Sequence, residues 1–271
     1  MRQFVSTVNP DKKGLIEING KDFRYLKQVL RLSVGDMLYV RLPDGKLSGT
    51  TVAKIDENRR AVTLQVCDSV LEVLKEEGEN QSEYCPETNL YLFQFIAKSS
   101  KMDLIVRQAA ECGVLKIIPV TGKFTQNGGA EKNFRNSRYE RIVKEARQQS
   151  GSPVSTEIAE TLTLDEACAF WKKIAGENSK DGFACVLYER SKKTKNLYEA
   201  IPDSEKIKNC AVFCGAEGGI SPEEIEILSK NGIVPVHFET NILRCETAAL
   251  YGIACVQNAV TGRKIDRKSV V

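Results

Sequence analysis

Between Gln3 and Val66 the apolar residues fall in short runs separated by turn residues: Gln3 to Val8, Leu15 to Ile18, Met37 to Leu42, Leu47 to Ile55 and Ala61 to Val66. Rich in Val, Leu, Ile and Thr, these runs predict strands, and Pro43-Asp44-Gly45 predicts a hairpin turn between two of them. Phe23, Leu26, Val29 and Leu30 keep helical spacing instead, with Arg24, Lys27 and Arg31 on the other flank and Gly35-Asp36 ending the segment. The expectation is a small β-rich module with one helix, closed as a barrel-like sheet.

From Asn89 the pattern changes to strands alternating with helices. An apolar strand over Leu90 to Ala97 precedes a helix capped by Ser99 or Ser100, burying Met102, Ile105, Val106, Ala109 and Ala110 and stopping at Gly113. A strand follows over Val114 to Val120. Ser137 with Glu140 and Thr163 with Glu166 have capping-box spacing for two more helices. The first of these is basic through Arg135, Arg138, Arg141, Lys144 and Arg147. The second carries Leu164, Ala167, Phe170, Trp171 and Ile174 and leads to a strand over Phe183 to Tyr188. This order implies an α/β domain with a parallel sheet covered on both faces, whose ligands sit at the carboxyl ends of strands.

Three strand ends are then candidates for a site: Leu187-Tyr188-Glu189, the loop Gly215 to Gly219, and Phe238 to Arg244. The loop leaves the apolar run Val212-Phe213-Cys214 and enters a helix for which Ser221 suits the N-cap, Pro222 the first turn and Glu224 a capping box. Glycines at 215, 218 and 219 either serve a tight turn or let backbone approach a ligand; neither phosphate-binding glycine fingerprint is present.

Charge sharpens the division. Residues 1–71 carry 12 basic and 8 acidic groups, residues 72–88 carry 1 and 6, and residues 89–271 carry 26 and 22. Two mildly basic bodies, 1–71 and 89–271, therefore flank an acidic linker at 72–88, a balance that fits an RNA partner and equally an ordinary solvated surface. Arg24, Lys27, Arg31, Arg138 and Arg141 are the candidate phosphate contacts. Nine cysteines without a C-x-x-C pair form no metal or disulfide pattern, so reduced thiols are expected. His237 is the only histidine, which leaves no basis for a histidine-based metal site and reads as a strand histidine. No apolar stretch is long enough for a membrane span, and a cytoplasmic location is expected.

Taken together, Gly215-Ala216-Glu217-Gly218-Gly219-Ile220-Ser221-Pro222-Glu223-Glu224 resembles the G-P-E-G-G-[FL]-[ST]-x-x-E signature of the bacterial 16S ribosomal RNA uridine-N3 methyltransferases of the SPOUT superfamily. Ile242-Leu243-Arg244-Cys245-Glu246-Thr247-Ala248 resembles that family's I-L-R-x-E-T-A. Val29-Leu30-Arg31 with Gly35-Asp36 is similar to its N-terminal V-L-R-x-x-x-G-D, Glu111-Cys112-Gly113-Val114 with Ile118-Pro119 to its E-L-G-V-x-x-I-x-P, and Gln148 to Gly151 to a further block. The chain departs from the pattern at Gln108, Ser152, Ala216 and Glu239-Thr240-Asn241, and three of these departures remove a cation.

The resemblance implies a PUA-like β-barrel, an α/β domain whose C-terminus threads a deep trefoil knot, a homodimer, and S-adenosylmethionine as methyl donor. Leu187, Tyr188, Glu189, Gly215, Glu217, Gly218, Gly219, Ile242, Leu243, Arg244 and Thr247 would hold the cofactor. Arg244 would stabilise the anionic base, with Glu246 orienting it or taking its proton. The implied substrate is 16S ribosomal RNA in the small ribosomal subunit. The alternatives are a ribose 2'-O-methyltransferase of the same superfamily and a non-catalytic RNA-binding factor.

Overall fold

The computed structural model describes residues 3–67, 69–70, 72, 86–125, 137–176, 181–189, 194–202 and 207–268, the last six by backbone alone. Arg135 and most of the acidic stretch 72–88 lie outside the described residues. The chain forms two compact units: Met1–Cys85 with Arg147–Pro153, and Pro86–Ala146 with Val154–Val271.

The first unit is a five-stranded sheet in the order β1-β3-β4-β5-β2, from β1 (Gln3–Val5), β2 (Leu15–Asn19), β3 (Met37–Arg41), β4 (Leu47–Asp56) and β5 (Ala61–Val66). All neighbours are antiparallel except β1 and β3, and the register of β4 against β5 shifts between Val52 and Lys54, a bulge that bends the sheet. Alternate residues turn inward onto Phe4, Ile16, Ile18, Val40, Val52, Val62 and Leu64, and Phe23 and Leu26 cover them from the helix. That helix differs from its expected form. Helix α1 (Gly20–Arg24) widens into a π turn over Tyr25–Val29, Leu30 closes it by donating its N–H to the Tyr25 carbonyl, and Arg31 takes φ +57°, off the helix that also carries Arg24 and Lys27. The segment Arg147–Pro153 supplies partners to β1: Gln3 Nε2 donates to the carbonyls of Arg147 and Ser152, both at 3.1 Å, and Gln148 Oε1 accepts the Val5 N–H.

The second unit is a parallel sheet in the order β12-β10-β11-β6-β7-β8, from β6 (Asn89–Phe95), β7 (Lys116–Thr121), β8 (Glu157–Ile158), β10 (Gly182–Leu187), β11 (Asn209–Cys214) and β12 (Val234–Val236), with β9 (Leu162–Thr163) also paired to β7. Strand alternation splits its side chains between two cores. One face gathers Leu90, Leu92, Ile117, Cys210 and Val212 under α2 (Ser99–Glu111), α3 (Ser137–Ser150) and α7 (Cys245–Lys268). The other stacks Phe93 on Phe213, ring centroids 4.2 Å apart, under α4 (Leu164–Ala175) and α6 (Pro222–Lys230). A further short helix, α5 (Leu197–Ala200), precedes β11.

The buried face of α2 is Met102, Ile105, Val106, Ala109 and Ala110, as its spacing predicts. Its cap differs: Lys98 occupies the N-cap without a side-chain bond, neither Ser99 nor Ser100 caps, and the Lys98 N–H donates to Glu217 Oε1 at 3.1 Å. Ser137 is the first residue of α3. The capping boxes of Thr163 with Glu166 and Ser221 with Glu224 both form. Strand β12 stops at Val236, so His237 stands just past the strand. All eight cysteines among the described residues are free thiols, and no helix among those residues is long and apolar enough to cross a membrane.

Candidate functional site

The three strand ends meet. At the carboxyl ends of β10, β11 and β12 a cavity of about 420 Å³ is lined by Leu187, Tyr188 and Glu189 from the first, Cys214 to Ile220 from the second, and Val236 to Phe238 with Thr240 to Cys245 from the third. Every expected cofactor contact lines it except Thr247, which lies exposed on the first turn of α7. A parallel sheet leaves this edge open because its βα loops diverge there.

The glycine loop is built by close approach. A Cβ on Gly215 would fall 2.9 Å from the Gly219 carbonyl carbon, a backbone atom that cannot move aside cheaply, and Gly219 itself takes φ +73°. Gly219 closes the turn by donating its N–H to the Ala216 carbonyl at 3.0 Å. The N–H groups of Glu217 and Gly218 donate to no acceptor among the described residues. Downstream, Ser221 and Glu224 fix the start of α6, and Glu224 Oε1 also accepts the Lys123 N–H at 2.7 Å, which ties the loop after β7 to the same helix.

Arg244 is exposed at the cavity, and its guanidinium has no hydrogen bond or ion pair among the described residues. Glu246 does not line the cavity; its carboxylate pairs with Lys101 Nζ at 3.1 Å and accepts from the Cys245 thiol at 3.3 Å. Burial raises the Glu246 carboxyl, but its own N–H, the Cys245 thiol and the Lys101 ammonium outweigh that and leave it below the ordinary carboxylate value. A lowered value makes it a weak proton acceptor. The hydrogen bond that Lys101 donates to Glu246 in turn raises the Lys101 ammonium, which also stands 3.9 Å from Glu217. Burial, with the Glu246 contact behind it, pushes the Cys245 thiol up to about 11, so it stays protonated at neutral pH.

Lys101 and His237 line the cavity but were absent from the expected site. His237 Nδ1 lies 2.8 Å from Thr194 Oγ1. Nothing in the spacing of Lys101 on α2 separates it from a solvated lysine; its partners are over a hundred residues away. Among the described residues no group of three His, Cys, Asp or Glu side chains is placed to hold a metal ion.

Residues 85–257 match the model of the RNA methyltransferase domain. The chain belongs to the RNA methyltransferase family. That span holds the whole cavity. Among the family's members, a Ribosomal RNA small subunit methyltransferase E from Rickettsia conorii is 30% identical over 240 residues, covering 86% of this chain and 85% of that protein. One of the same name from Aquifex aeolicus is 30% identical over 174 residues, 64% of this chain and 70% of its own. A crystal structure of a Ribosomal RNA small subunit methyltransferase E from Neisseria gonorrhoeae bound to S-adenosyl methionine superposes with a TM-score of 0.76 at 21% identity, covering 95% of this chain and 97% of that one; at this identity the likeness is one of fold.

The candidate RNA contacts of this family member divide between its units. In the first unit, Arg24 and Arg31 are exposed and Lys27 is paired to Glu57 at 3.5 Å. In the second, Arg138 is paired to Asp103 and Arg141 to Glu145 at 3.6 Å, one turn along α3.

Proposed function

We propose that the protein methylates N3 of a uridine in 16S ribosomal RNA of the small ribosomal subunit with S-adenosylmethionine as methyl donor. The carrying observation is the cavity: three strand-end loops, two backbone N–H groups and an arginine, none with a partner among the described residues, converge at the edge where parallel sheets hold ligands. The cradle fits the cofactor, because Gly215 and Gly219 permit the tight loop that brings bare backbone to the cavity wall and Leu187, Ile242 and Leu243 offer apolar walls. When bound, S-adenosylmethionine supplies an electrophilic methyl group on a sulfonium.

Uridine N3 carries a proton and is hidden in a base pair, so the target base is unpaired or turned out of its stack. Arg244, exposed at the cavity, is the group that stabilises the negative charge developing on the base as that proton leaves. Glu246, held charged by its own N–H, the Cys245 thiol and Lys101, orients the entry to α7 immediately after Arg244, and the N3 proton passes to water. Arg24, Lys27, Arg31, Arg138 and Arg141 act as phosphate contacts, their exposure or salt-bridge exchange making them available.

The same reading assigns the bent sheet of the first unit to a PUA-like barrel. It makes the return from edge strand β12 to α7, which packs over the central strands, the closing pass of a trefoil knot. It includes a homodimer and a cytoplasmic location, where ribosomal subunits are modified. Labelled-methyl transfer to small subunits lacking the modification, followed by nucleoside analysis, tests the reading. N3-methyluridine is expected; a 2'-O-methylated nucleoside, or no transfer by a protein that binds the cofactor, overturns it.

A further inference from the structure

The glycine loop is held from below by a side chain that no sequence pattern singles out. Gln94, at the end of β6 and opposite Cys214 of β11, is fully buried. Its Nε2 lies 2.9 Å from the Phe95 carbonyl, 3.2 Å from that of Cys214 and 3.1 Å from that of Gly215. Chemistry fixes the orientation of the amide: turned over, its oxygen would face three other acceptors. In the observed orientation Oε1 is buried and meets no donor among the described residues. A buried acceptor left without a donor destabilises a fold, and a methionine would fill this space without one. What glutamine alone supplies is two N–H donors shared among the Phe95, Cys214 and Gly215 carbonyls, which tie the start of the loop to the end of β6.

We infer that Gln94 is a positioning residue for cofactor binding, acting through the glycine loop; this rests on the reading of the cavity as the S-adenosylmethionine site. Because the peptide is planar, holding the Gly215 carbonyl downward fixes the Gly215–Ala216 plane. The bond from the Gly219 N–H to the Ala216 carbonyl closes the turn, and the Ser221–Glu224 box holds its exit. Both ends are thus anchored, and the intervening Glu217 and Gly218, whose N–H groups have no acceptor among the described residues, are held at the cavity wall before any ligand arrives. Preorganisation of this kind appears as affinity, since a loop already in its bound form loses less freedom on binding.

The experiment compares wild type, Gln94→Met and Gln94→Glu by calorimetric titration with S-adenosylmethionine and by amide hydrogen exchange. Ile117→Val, a core change in the same sheet, serves as the control for general destabilisation. Wild type is expected to bind, with exchange at Glu217 and Gly218 slowed by the cofactor. Gln94→Met should bind about tenfold more weakly, with faster exchange at those two amides and unchanged exchange in Leu92 and Val212. In Gln94→Glu, a carboxylate buried against carbonyl oxygens has a raised pKa, and its protonated form regains one donor. Its cofactor affinity should therefore tighten as pH is lowered from 8 to 6 while that of wild type stays flat.

A wild-type affinity in Gln94→Met, or a loss that Ile117→Val reproduces, overturns the inference. Should the methionine variant fail to fold, the pH response of Gln94→Glu decides, and if neither variant folds, the absence of cofactor protection at Glu217 and Gly218 in wild type overturns it. Wild-type protein that binds no S-adenosylmethionine at all refutes the assignment of the cavity instead.

Discussion

Two cations at the cavity have opposite surroundings. Arg244 has no carboxylate partner among the described residues, whereas Lys101 is held by Glu246 and Glu217. An unpaired guanidinium retains its full field for a developing anion, so Arg244→Ala should lower turnover about a hundredfold or more while calorimetry shows cofactor affinity within a few-fold of wild type. Unchanged turnover removes Arg244 from the chemistry. Lys101 instead braces charges already present, and its effect depends on pH. The Glu246 carboxyl is lowered in the fold, so its stabilisation is present above the ordinary carboxylate value and lost as pH falls through the folded one. The stability difference between wild type and Lys101→Met, read from denaturant melts, should be full at neutral pH and shrink steadily on acidification. Of these residues, Arg244 was legible because it stands within one contiguous motif. Lys101 and Gln94 were not, since their roles come from partners 116 to 145 positions along the chain and α-helical or strand spacing says nothing about them.

Local rules survived best among the elements. The capping boxes of α4 and α6 need only residues three apart and formed as read. Helix α2 has serines in the right place, yet its N-terminus is served by Glu217 from the glycine loop; a tertiary carboxylate displaced the local cap. In the first unit the apolar spacing of 23, 26, 29 and 30 gave a helix without revealing its π turn, because the two periods differ little over so few residues. Close packing gives the sharpest test at this scale. A Cβ on Gly252 of α7 would lie 2.6 Å from Leu187 Cδ1 and 3.2 Å from Val212 Cγ1. Alanine is favoured over glycine inside a helix by about 0.5–1 kcal/mol, but overpacking costs about 1–3 kcal/mol, so the steric term wins. Gly252→Ala should melt lower than wild type, and because Leu187 is the side chain that yields and also lines the cavity, cofactor affinity should fall with it.

For the whole molecule, composition and periodicity separated a β-rich part from a parallel α/β part but could not show that the first unit includes Arg147–Pro153. Gln3 and Val5 take hydrogen-bond partners from that segment, and burying them without partners costs about 1–3 kcal/mol each. A fragment of residues 1–85 should therefore unfold at lower denaturant than the same sequence supplied with 147–153 through a linker, as followed by circular dichroism; equal midpoints refute the dependence. Strand order was equally hidden, since parallel neighbours carry no signal of who pairs with whom, and here it sets a timetable. The strand at the heart of the sheet, β11, pairs with β6 across about 120 residues of chain. On the ribosome, where chain is made at about 5–20 residues per second, β6 emerges many seconds before its partner and waits with an apolar edge bare. The cavity, whose loops follow β10, β11 and β12, is among the last parts to assemble. A nascent chain halted before residue 209 would thus carry an unpaired, aggregation-prone strand edge while lacking both the glycine loop and Arg244.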